Sequence, residues 1–531
     1  MRPDDWLLTR DERGNPATRL DTRRVGGDAW SSGNEVHALV HGSAYFSALL
    51  EAVRRQRAGD LLFFTDWRGD PDELLDGAGS EIGEVLCDAA RRGVVVKGLI
   101  WRSHLDRLQF SESENRHLGE DIEAAGGECL LDMRVRPGGA HHQKFVVLRH
   151  PGRPEHDVAF VGGIDLCHSR RDDALHTGDP RALPMAAAYG PTPPWHDVQL
   201  AVRGPAVGDI EATFRERWQD PSPLSRSPLS RLRALAHHED TIADPLPPQP
   251  PDPEPRGTQV VQLLRTYPAR RRGYPFAPDG ERSIARGYRK ALTRARSLIY
   301  LEDQYLWSAD IVTSFAKALT DNPGLHMIAV LPAHPDQDGR LTGPMNVLGR
   351  IEALRALHRA GGRRFAVYSV ENHAGTPVYV HAKVCVIDDV WATVGSDNVN
   401  RRSWTHDSEL GLAVLDETAD PREPRDPGGL RDGARAFARD LRLELGAEHL
   451  DLPEPGALCD PRAAFRAFAE SAAALDAWHR GGRRGSRPPG RLRAYPTPVL
   501  GRAMTLTARP LQRIVADPDG RPRRLRRSAR F

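Results

Sequence analysis

Residues 138–149, GGAHHQKFVVLR, and residues 378–389, VYVHAKVCVIDD, each place a lysine two positions after a histidine. Only five of the 74 Lys and Arg side chains are lysine, so two His-x-Lys spacings among them exceed what chance predicts. Each spacing leads into an apolar run that is typical of a buried strand. We therefore expect the two stretches to occupy equivalent places in a duplicated fold.

The order of helices and strands around these stretches repeats. Each half begins with a helix-like segment and a short apolar run, continues with a second helix and a second strand, and then reaches the His-x-Lys strand and a glycine turn. The segments are 43–57, 61–67, 82–93 and 94–102 in the first half, and 283–296, 298–307, 311–322 and 326–334 in the second. Alternating strands and helices predict parallel sheets covered by helices. The expected fold is α/β, with two β-sheet cores flanked by helices and related by a pseudo-twofold axis, and with the active site between them.

A proline-rich stretch separates the halves. Residues 221–256 carry too many prolines for regular helix or sheet and predict an extended linker. The first half then covers 35–220 and the second 257–455, with an N-terminal extension of 1–34. Residues 456–531 form a C-terminal extension that ends in an arginine-rich tail, for which we expect a solvated terminus, with contact to anionic lipid head groups as the alternative.

Composition limits the partners and the compartment. The formal net charge is only +2 and the aromatic content is 6%, so nucleic acid is not an expected partner. Five scattered cysteines suggest neither a disulfide framework nor a zinc site. Neither a signal peptide nor a transmembrane segment is evident, which favours a cytoplasmic protein that is peripheral to membranes. Since both motifs lie in one chain, a monomer is expected.

The paired motifs suit a phosphodiester. Residues i and i+2 of a strand share a face, so His142 projects with Lys144, and His381 projects with Lys383. Two ammonium groups offset the charge of a phosphoryl transition state. One neutral imidazole can attack phosphorus, and one protonated imidazole can release the leaving alcohol.

Carboxylates that could orient the imidazoles follow both motifs. Asp197 precedes a strand in the first half, and Asp407 and Glu409 hold the corresponding place in the second. We predict that Asp197 in the first half, and Asp407 or Glu409 in the second, accept the second ring N–H of the histidines, with Asp407 counted among the catalytic residues. For Glu302 a solvated strand end and a pocket wall remain equally open. Asp388 falls at odd spacing from His381, so a structural role is expected for it.

Together these stretches resemble the phospholipase D superfamily, and in particular its eukaryotic-type members. The second motif matches His-x-Lys-x4-Asp in full, and the segments FVGGIDLC, PWHDVQLAVRGPA, IYLEDQYLW and GSDNVNRRSWTHDSEL are similar to the family's and stand in its order, over residues 35 to 455. The resemblance implies a substrate-binding set of Asp165, Ser396, Asn398, Glu409 and Glu302.

The resemblance also implies a route through a phosphohistidine. His142 is the predicted nucleophile and His381 the general acid and base, and the reaction releases phosphatidate and the head-group alcohol from a phospholipid at a membrane surface. Transfer to another alcohol is a further expected reaction. No metal and no other cofactor is expected for this chemistry.

One departure and three alternatives accompany this interpretation. Arg149 stands where the first motif would carry its aspartate, and it should face away from the site. The alternatives are a cardiolipin-synthase-like phosphatidyltransferase, a nuclease or other phosphodiesterase of the superfamily, and a scaffold without activity. The intact His-x-Lys pairs argue against the scaffold.

Overall fold

The computed structural model describes residues 1–531 except 25, 104–111, 226, 237–238, 338–341, 497–511, 527 and 529–530. Within that part of the chain, no helix has both the length and the apolar composition needed to cross a bilayer. The helices are α1 (Arg10–Arg13), α2 (Gly42–Arg54), α3 (Ile82–Arg91), α4 (Glu112–Ala124), α5 (Ala206–Trp218), α6 (Pro228–Ala236), α7 (Ser283–Arg294), α8 (Ala309–Asp321), α9 (Thr342–Gly361), α10 (Arg401–Thr405), α11 (Ala436–Leu450) and α12 (Pro461–Arg480).

A mixed sheet of 16 strands runs through the described residues, and a two-stranded sheet lies beside it. The strands are β1 (Ser31–Val40), β2 (Leu61–Asp66), β3 (Val95–Trp101), β4 (Glu128–Asp132), β5 (Phe145–Arg149), β6 (Val158–Gly162), β7 (Trp195–His196), β8 (Val198–Arg203), β9 (Gln259–Tyr267), β10 (Glu281–Arg282), β11 (Leu298–Glu302), β12 (His326–Val330), β13 (Phe365–Val370), β14 (Tyr379–Val380), β15 (Val384–Ile387), β16 (Trp391–Gly395), β17 (Glu409–Asp416) and β18 (Leu492–Ala494). The segments predicted around the two motifs form α2, β2, α3 and β3, and α7, β11, α8 and β12.

The strand order confirms the duplication. From the centre outward, the first half runs β1-β8-β6-β5-β2-β3-β4 and the second runs β9-β17-β16-β15-β11-β12-β13, with β18 added at the edge. The two expected sheets are joined edge to edge, because β1 pairs antiparallel with β9, where Ser31 faces Val261 and Asn34 faces Gln259. The duplicated halves therefore share one continuous sheet.

Only part of each half-sheet is parallel. β2, β3 and β4 are parallel to one another, as are β11, β12 and β13, and α3 and α8 supply crossovers. The expectation of wholly parallel sheets was wrong, because β5–β6 and β15–β16 are consecutive strands with short connections and pair antiparallel. A short connection permits only the antiparallel arrangement.

The two faces of the sheet are packed differently. One face carries a single apolar cluster that continues from the first half to the second and includes α5 and α11. The opposite face carries two separate clusters, one under α2 and α3 and the other under α7 and α8. Every residue of α5 is buried, and its Phe214 stacks on Phe63 of β2 with ring centroids 4.9 Å apart. The shared face is thus the layer that holds the halves together.

The linker is less extended than its prolines suggest. Within residues 221–256, the segment Pro228–Ala236 forms α6. The helix is allowed because its proline stands at the first helical position and none follows before 236, whereas residues 245–256 hold the densest prolines and form no helix or strand. The expectation of a wholly extended linker was therefore wrong for this segment.

The C-terminal residues pack against both halves of the chain instead of extending into solvent. Gly520 N donates to Thr405 Oγ1 at 2.9 Å, and Arg136 Nη1 donates to Gly520 O at 3.0 Å. Arg401 Nε donates to the carbonyl oxygen of Asp517 at 3.0 Å. The tail, expected to be a solvated terminus, is thus bonded to both halves at Gly520, while Arg523, Arg524 and Arg526 are exposed and positions 527, 529 and 530 lie outside the described residues.

Arg149 faces away from the motif's lysine, as expected from its spacing. Its guanidinium is fully buried, with Nε donating to Asp157 Oδ2 at 2.7 Å and Nη1 bonding Glu211 of α5. In the second half Asp388 instead accepts from the backbone N–H groups of residues 296–298 at 2.7–2.8 Å. The two equivalent positions are both structural, but one binds carboxylates and the other binds backbone.

Arg149→Asp should lower the free energy of unfolding by about 3–5 kcal/mol, because it removes the arginine partner of buried Asp157, leaves Glu211 with Arg215 alone and adds a third buried carboxylate. Denaturant unfolding followed by circular dichroism measures the change. Arg55→Asp is the control, since Arg55 pairs with Glu51 at the exposed surface and the loss should stay below about 1 kcal/mol. Equal losses in the two variants would contradict the buried network.

Candidate active site

Each His-x-Lys segment is hydrogen-bonded to the other half of the chain. β14, just before His381, pairs with β7 of the first half, and His381 N donates to His196 O at 2.8 Å. In the symmetric place, His141 bridges to Ser408, and His142 N donates to Ser408 O at 2.9 Å. The backbone thus brings the two histidines together, as the duplicated fold predicted.

The carboxylates that hold the imidazoles are exchanged between the halves. His381 Nδ1 lies 2.6 Å from Asp197 Oδ2, and His142 Nδ1 lies 2.8 Å from Glu409 Oε2. An ionised carboxylate can only accept, so against it each Nδ1 carries the proton and each Nε2 keeps its lone pair, while Lys383 Nζ also lies 2.9 Å from His381 Nδ1. Both imidazoles are therefore oriented as neutral bases with Nε2 directed away from the carboxylate.

The residue next to each orienting carboxylate suits the length of that side chain, which is shorter in Asp197 than in Glu409. Ser396 Oγ donates to Glu409 Oε2 at 2.6 Å. The equivalent first-half position is Gly163, where an added Cβ would lie 2.3 Å from Asp197 Oδ1. Glycine is therefore needed beside Asp197, whereas the second half has room for a hydroxyl that fixes the longer glutamate.

The two lysines are buried and directed into the same site. Lys144 Nζ donates to the carbonyl oxygen of His142 at 3.0 Å and lies 3.4 Å from Asp165 Oδ1. Lys383 Nζ bonds the carbonyl oxygen of His381 and lies 3.4 Å from Gln304 Oε1. Burial lowers the pKa of Lys383 to about 8. Two ammonium groups in a confined site form an anion-binding centre.

Burial and positive charge keep the imidazoles neutral. Burial lowers the pKa of His142 well below its usual value, and Lys144 and Lys383 lower it further. The pKa of His381 is lowered in the same way by burial, Lys383, Arg170 and Lys144. Since each histidine is influenced by the lysine of the other half, the four groups form one electrostatic site. An anion bound between them would raise both imidazole pKa values.

Asp407 is not the orienting carboxylate. Its Oδ2 accepts from Arg402 Nε at 2.6 Å and its Oδ1 accepts from Ala140 N at 2.9 Å, so it binds a guanidinium and a backbone N–H. Of the two second-half candidates, Glu409 is the side chain that reaches His142, and the catalytic role predicted for Asp407 was wrong. Asp407 instead holds the backbone just before the first motif.

The other predicted site residues divide into two groups. Asp165 and Ser396 contact Lys144 and Glu409, and the side chain of Asn398, at the position equivalent to Asp165, is buried. Glu302 is different: it is fully buried and accepts from His196 Nε2 at 2.6 Å and His449 Nε2 at 2.8 Å. Glu302 is therefore not at a solvated strand end, and its partners are His196 and His449 and not the paired lysines. It lies behind the site.

Aromatic and cationic side chains that the motifs did not reveal surround the histidines. The guanidinium of Arg170 lies 3.9 Å from the ring centroid of Trp195, whose ring centroid lies 4.8 Å from that of His381. Trp67 stands edge-on to His142 at 6.3 Å. Their positions come from loops and strand ends, so spacing along the sequence carried no signal for them.

The sequence of this chain is similar to known families and proteins. The model for "Phospholipase D" matches residues 71–329, and the model for "Cardiolipin synthase, PLD-like domain" matches residues 288–421. Phospholipase D alpha 1 of Oryza sativa subsp. japonica is 26% identical over 74% of this chain and 62% of its own length. The Arabidopsis thaliana enzyme of the same name is 26% identical over the same shares. The chain therefore spans less than two thirds of the length of these relatives.

Two solved structures are similar at low identity. A phosphatidylserine synthase of Haemophilus influenzae Rd KW20 is 14% identical, with a TM-score of 0.49 over 72% of this chain and 82% of that one. A polyphosphate kinase of Porphyromonas gingivalis is 12% identical, with a TM-score of 0.40 over 84% of this chain and 54% of that one.

Asp197→Asn and Glu409→Gln should each lower kcat by about 10²–10⁴-fold, because the amide no longer fixes the Nδ1–H tautomer of its histidine. Initial rates on a phosphodiester substrate measure the loss. Asp407→Asn is the matched control: its amide oxygen can still accept from Ala140 N, and kcat should fall by less than about tenfold. If Asp407→Asn lost as much as Glu409→Gln, the exchange of carboxylates would be contradicted.

Proposed function

The chain belongs to the phospholipase D superfamily, and we propose that it acts as a phospholipase D on glycerophospholipids such as phosphatidylcholine. The products are phosphatidate and the free head-group alcohol, with transfer of the phosphatidyl group to other alcohols as a further reaction. The observation that carries the proposal is the crossed pair of contacts, Asp197 to His381 and Glu409 to His142, around two buried lysines.

The first step is attack by His142. Its Nε2 lone pair forms a bond to phosphorus while the bond between phosphorus and the head-group oxygen breaks, and protonated His381 gives its proton to that oxygen. His381 takes up this proton when substrate binds. In the free protein burial and the lysines keep its pKa low, and a phosphodiester anion between the lysines raises it. His142 becomes a phosphatidylated imidazolium, whose charge Glu409 offsets.

The second step releases the product. Neutral His381 takes a proton from water, the water oxygen attacks phosphorus, and the bond to His142 Nε2 breaks. An alcohol in place of water gives a new phospholipid by the same step. Through both displacements Lys144 and Lys383 face the phosphoryl oxygens, where charge accumulates in the transition state. A compact ammonium suits this place better than a flat guanidinium, because it can follow an oxygen as the geometry at phosphorus changes.

His142 is assigned as the nucleophile because its environment favours attack. Its side chain is 17% exposed, against 6% for His381, so it is the imidazole more open to an incoming phosphorus. His381 lies deeper, between Asp197 and the ring of Trp195, where a proton is held in a defined direction. The assignment is separate from the two-histidine chemistry and is tested separately.

A phosphatidyltransferase is the second candidate, because the cardiolipin synthase model matches residues 288–421, including His381 and Lys383. Such an enzyme would use the alcohol of a second phospholipid in place of water. The site residues and their roles are the same in the two cases, so only the acceptor distinguishes them.

A phosphodiester with a p-nitrophenol leaving group separates the roles of the histidines. p-Nitrophenolate leaves without a proton, so His381→Asn should give a burst of about one nitrophenol per chain and then stop, with the phosphatidyl group held on His142. His142→Asn should give no burst. The measurement is stopped-flow absorbance, followed by an alkaline quench and mass spectrometry of the modified peptide. The reverse pattern would make His381 the nucleophile, and a burst in neither variant together with normal turnover in both would contradict the two-histidine route.

The lipid reaction itself is tested with the purified full chain and phosphatidylcholine vesicles, with and without ethanol. We expect choline and phosphatidate without ethanol, and phosphatidylethanol when ethanol competes with water. Phosphatidylglycerol vesicles and single-stranded DNA are run in parallel. Cardiolipin as the main product would favour the second candidate, and DNA cleavage without lipid turnover would contradict both.

A further inference from the structure

Behind the active site lies a group of buried histidines and glutamates that the proposed reaction does not use. We call it the histidine–glutamate cluster, and it consists of His41, His176, His196, His449, Glu302 and Glu448. All four histidines and Glu302 are fully buried, and the side chain of Glu448 is 12% exposed. The members come from both halves of the chain: the start of α2, the loop after β6, β7, the end of β11 and the end of α11.

Glu448 is at the centre of three imidazoles. Its Oε2 lies 2.8 Å from His41 Nε2, and its Oε1 lies 2.9 Å from His176 Nε2 and 3.6 Å from His196 Nδ1. One ligand atom from each of these four residues lies within 4.8 Å of the others. Ligands of a tetrahedral zinc ion at about 2.0–2.2 Å stand about 3.3–3.6 Å apart, so small side-chain shifts would complete such a shell.

Two of the three ring nitrogens that face away from this centre have carboxylates behind them. His196 Nε2 lies 2.6 Å from Glu302 Oε2, while its Nδ1 faces Glu448. His176 Nδ1 lies 3.6 Å from Asp172 Oδ2, while its Nε2 faces Glu448. A carboxylate behind the imidazole is the arrangement that fixes the tautomer of a metal-binding histidine.

Charge also favours a cation at this point. Glu302, Glu448 and Asp172 bring three carboxylates into a buried region. Among the described residues, Arg491 is the one lysine or arginine found within 4 Å of these carboxylates. It lies 3.9 Å from Glu448 and forms a salt bridge with Asp451 at 3.0 Å. In the same part of the chain, Nδ1 of His41 and of His196 has no hydrogen-bond partner although each ring is fully buried. A divalent ion would offset the carboxylates and bind His196 Nδ1 in place of a proton.

We propose that His41 Nε2, His176 Nε2, His196 Nδ1 and a Glu448 oxygen bind one divalent transition-metal ion, with zinc as the ion that three imidazoles and one carboxylate select. Asp172 and Glu302 orient two of the ligands. Four protein ligands leave no position for substrate, so the ion is structural and takes no part in the displacement at phosphorus.

The consequence of binding is mechanical. The backbone carbonyl oxygen of His196 accepts hydrogen bonds from the backbone N–H groups of His381 and Ala382 at 2.8 and 3.1 Å. Asp197 follows His196 directly in the chain. An ion on His196 and Glu448 would therefore fasten β7 to α11 and fix the backbone that carries the first-half carboxylate. The sequence suggested no metal ligands, so an ion at this place departs from that expectation; the expectation that the reaction itself needs no metal is unaffected by it.

Metal content tests the proposal without any substrate. The full chain is treated with chelator, exchanged into metal-free buffer, loaded with zinc chloride and passed over a desalting column before elemental analysis. We expect about one zinc per chain, a Kd below about 1 µM and a higher Tm in the loaded protein. In the cobalt-loaded protein, the visible bands of a tetrahedral ion are expected. Stoichiometry near zero with no change in Tm would overturn the proposal.

Substitutions identify the ligands. Glu448→Gln should weaken zinc binding by at least about 100-fold. Glu371→Gln is the matched control, because it also removes a buried carboxylate bonded to a histidine, His479 at 2.9 Å, and should leave zinc binding unchanged. His142→Asn should keep its zinc as well, which separates this site from the paired motifs.

A ligand exchange covers the case in which Glu448→Gln does not fold. His176→Cys replaces an imidazole by a thiolate, and in the cobalt-loaded protein it should add a sulfur-to-cobalt charge-transfer band in the near ultraviolet. That band cannot arise from a role in packing alone. A cobalt-binding His176→Cys protein that lacks the band would show that residue 176 is not a ligand and would overturn the proposed set.

Discussion

The hydrogen bond between a histidine of one half and a carboxylate of the other is the contact on which the site depends. Asp197 holds His381 at 2.6 Å, and Glu409 holds His142 at 2.8 Å. These contacts require the backbone of each motif to lie against the strand that leads into β8 or β17 of the opposite half. That placement in turn requires the continuous sheet through β1 and β9 and the apolar layer shared by α5 and α11. These two histidine–carboxylate distances therefore depend on the packing of the whole molecule.

Much of the fold was predictable, because it follows from local periodicity. The helix and strand segments around the motifs, their repetition and the pairing of His142 with His381 across a pseudo-twofold axis could all be inferred from apolar runs and spacing. The joining of the two sheets at β1 and β9 could not, because edge pairing between distant strands leaves no trace in either strand's own pattern. The antiparallel pairs β5–β6 and β15–β16 were missed for a different reason: the prediction rested on the alternation of strands and helices and did not use the short connections between these consecutive strands.

The misassigned carboxylate shows a limit of letter matching. His196-Asp197 and His406-Asp407 are the same dipeptide, and each precedes a strand, so the two aspartates looked equivalent. The register places Glu409, not Asp407, opposite the motif. Residues two positions apart share a face of an extended strand, so spacing alone could not separate 407 from 409. Glu448 and His449 were missed for another reason. Helical spacing identifies the buried face of α11, but it does not show which polar side chains of other elements contact that face.

The exchange of carboxylates also means that the two halves are not interchangeable parts. The first half supplies a short acid beside Gly163, and the second supplies a long acid fastened by Ser396. Each half therefore carries the complement of its partner's histidine and not of its own. A chain built from two copies of either half would set two identical acids against backbones shaped for different ones. A substitution at the carboxylate of one half therefore changes the surroundings of the histidine in the other half. The residues at these positions in the two halves thus depend on each other.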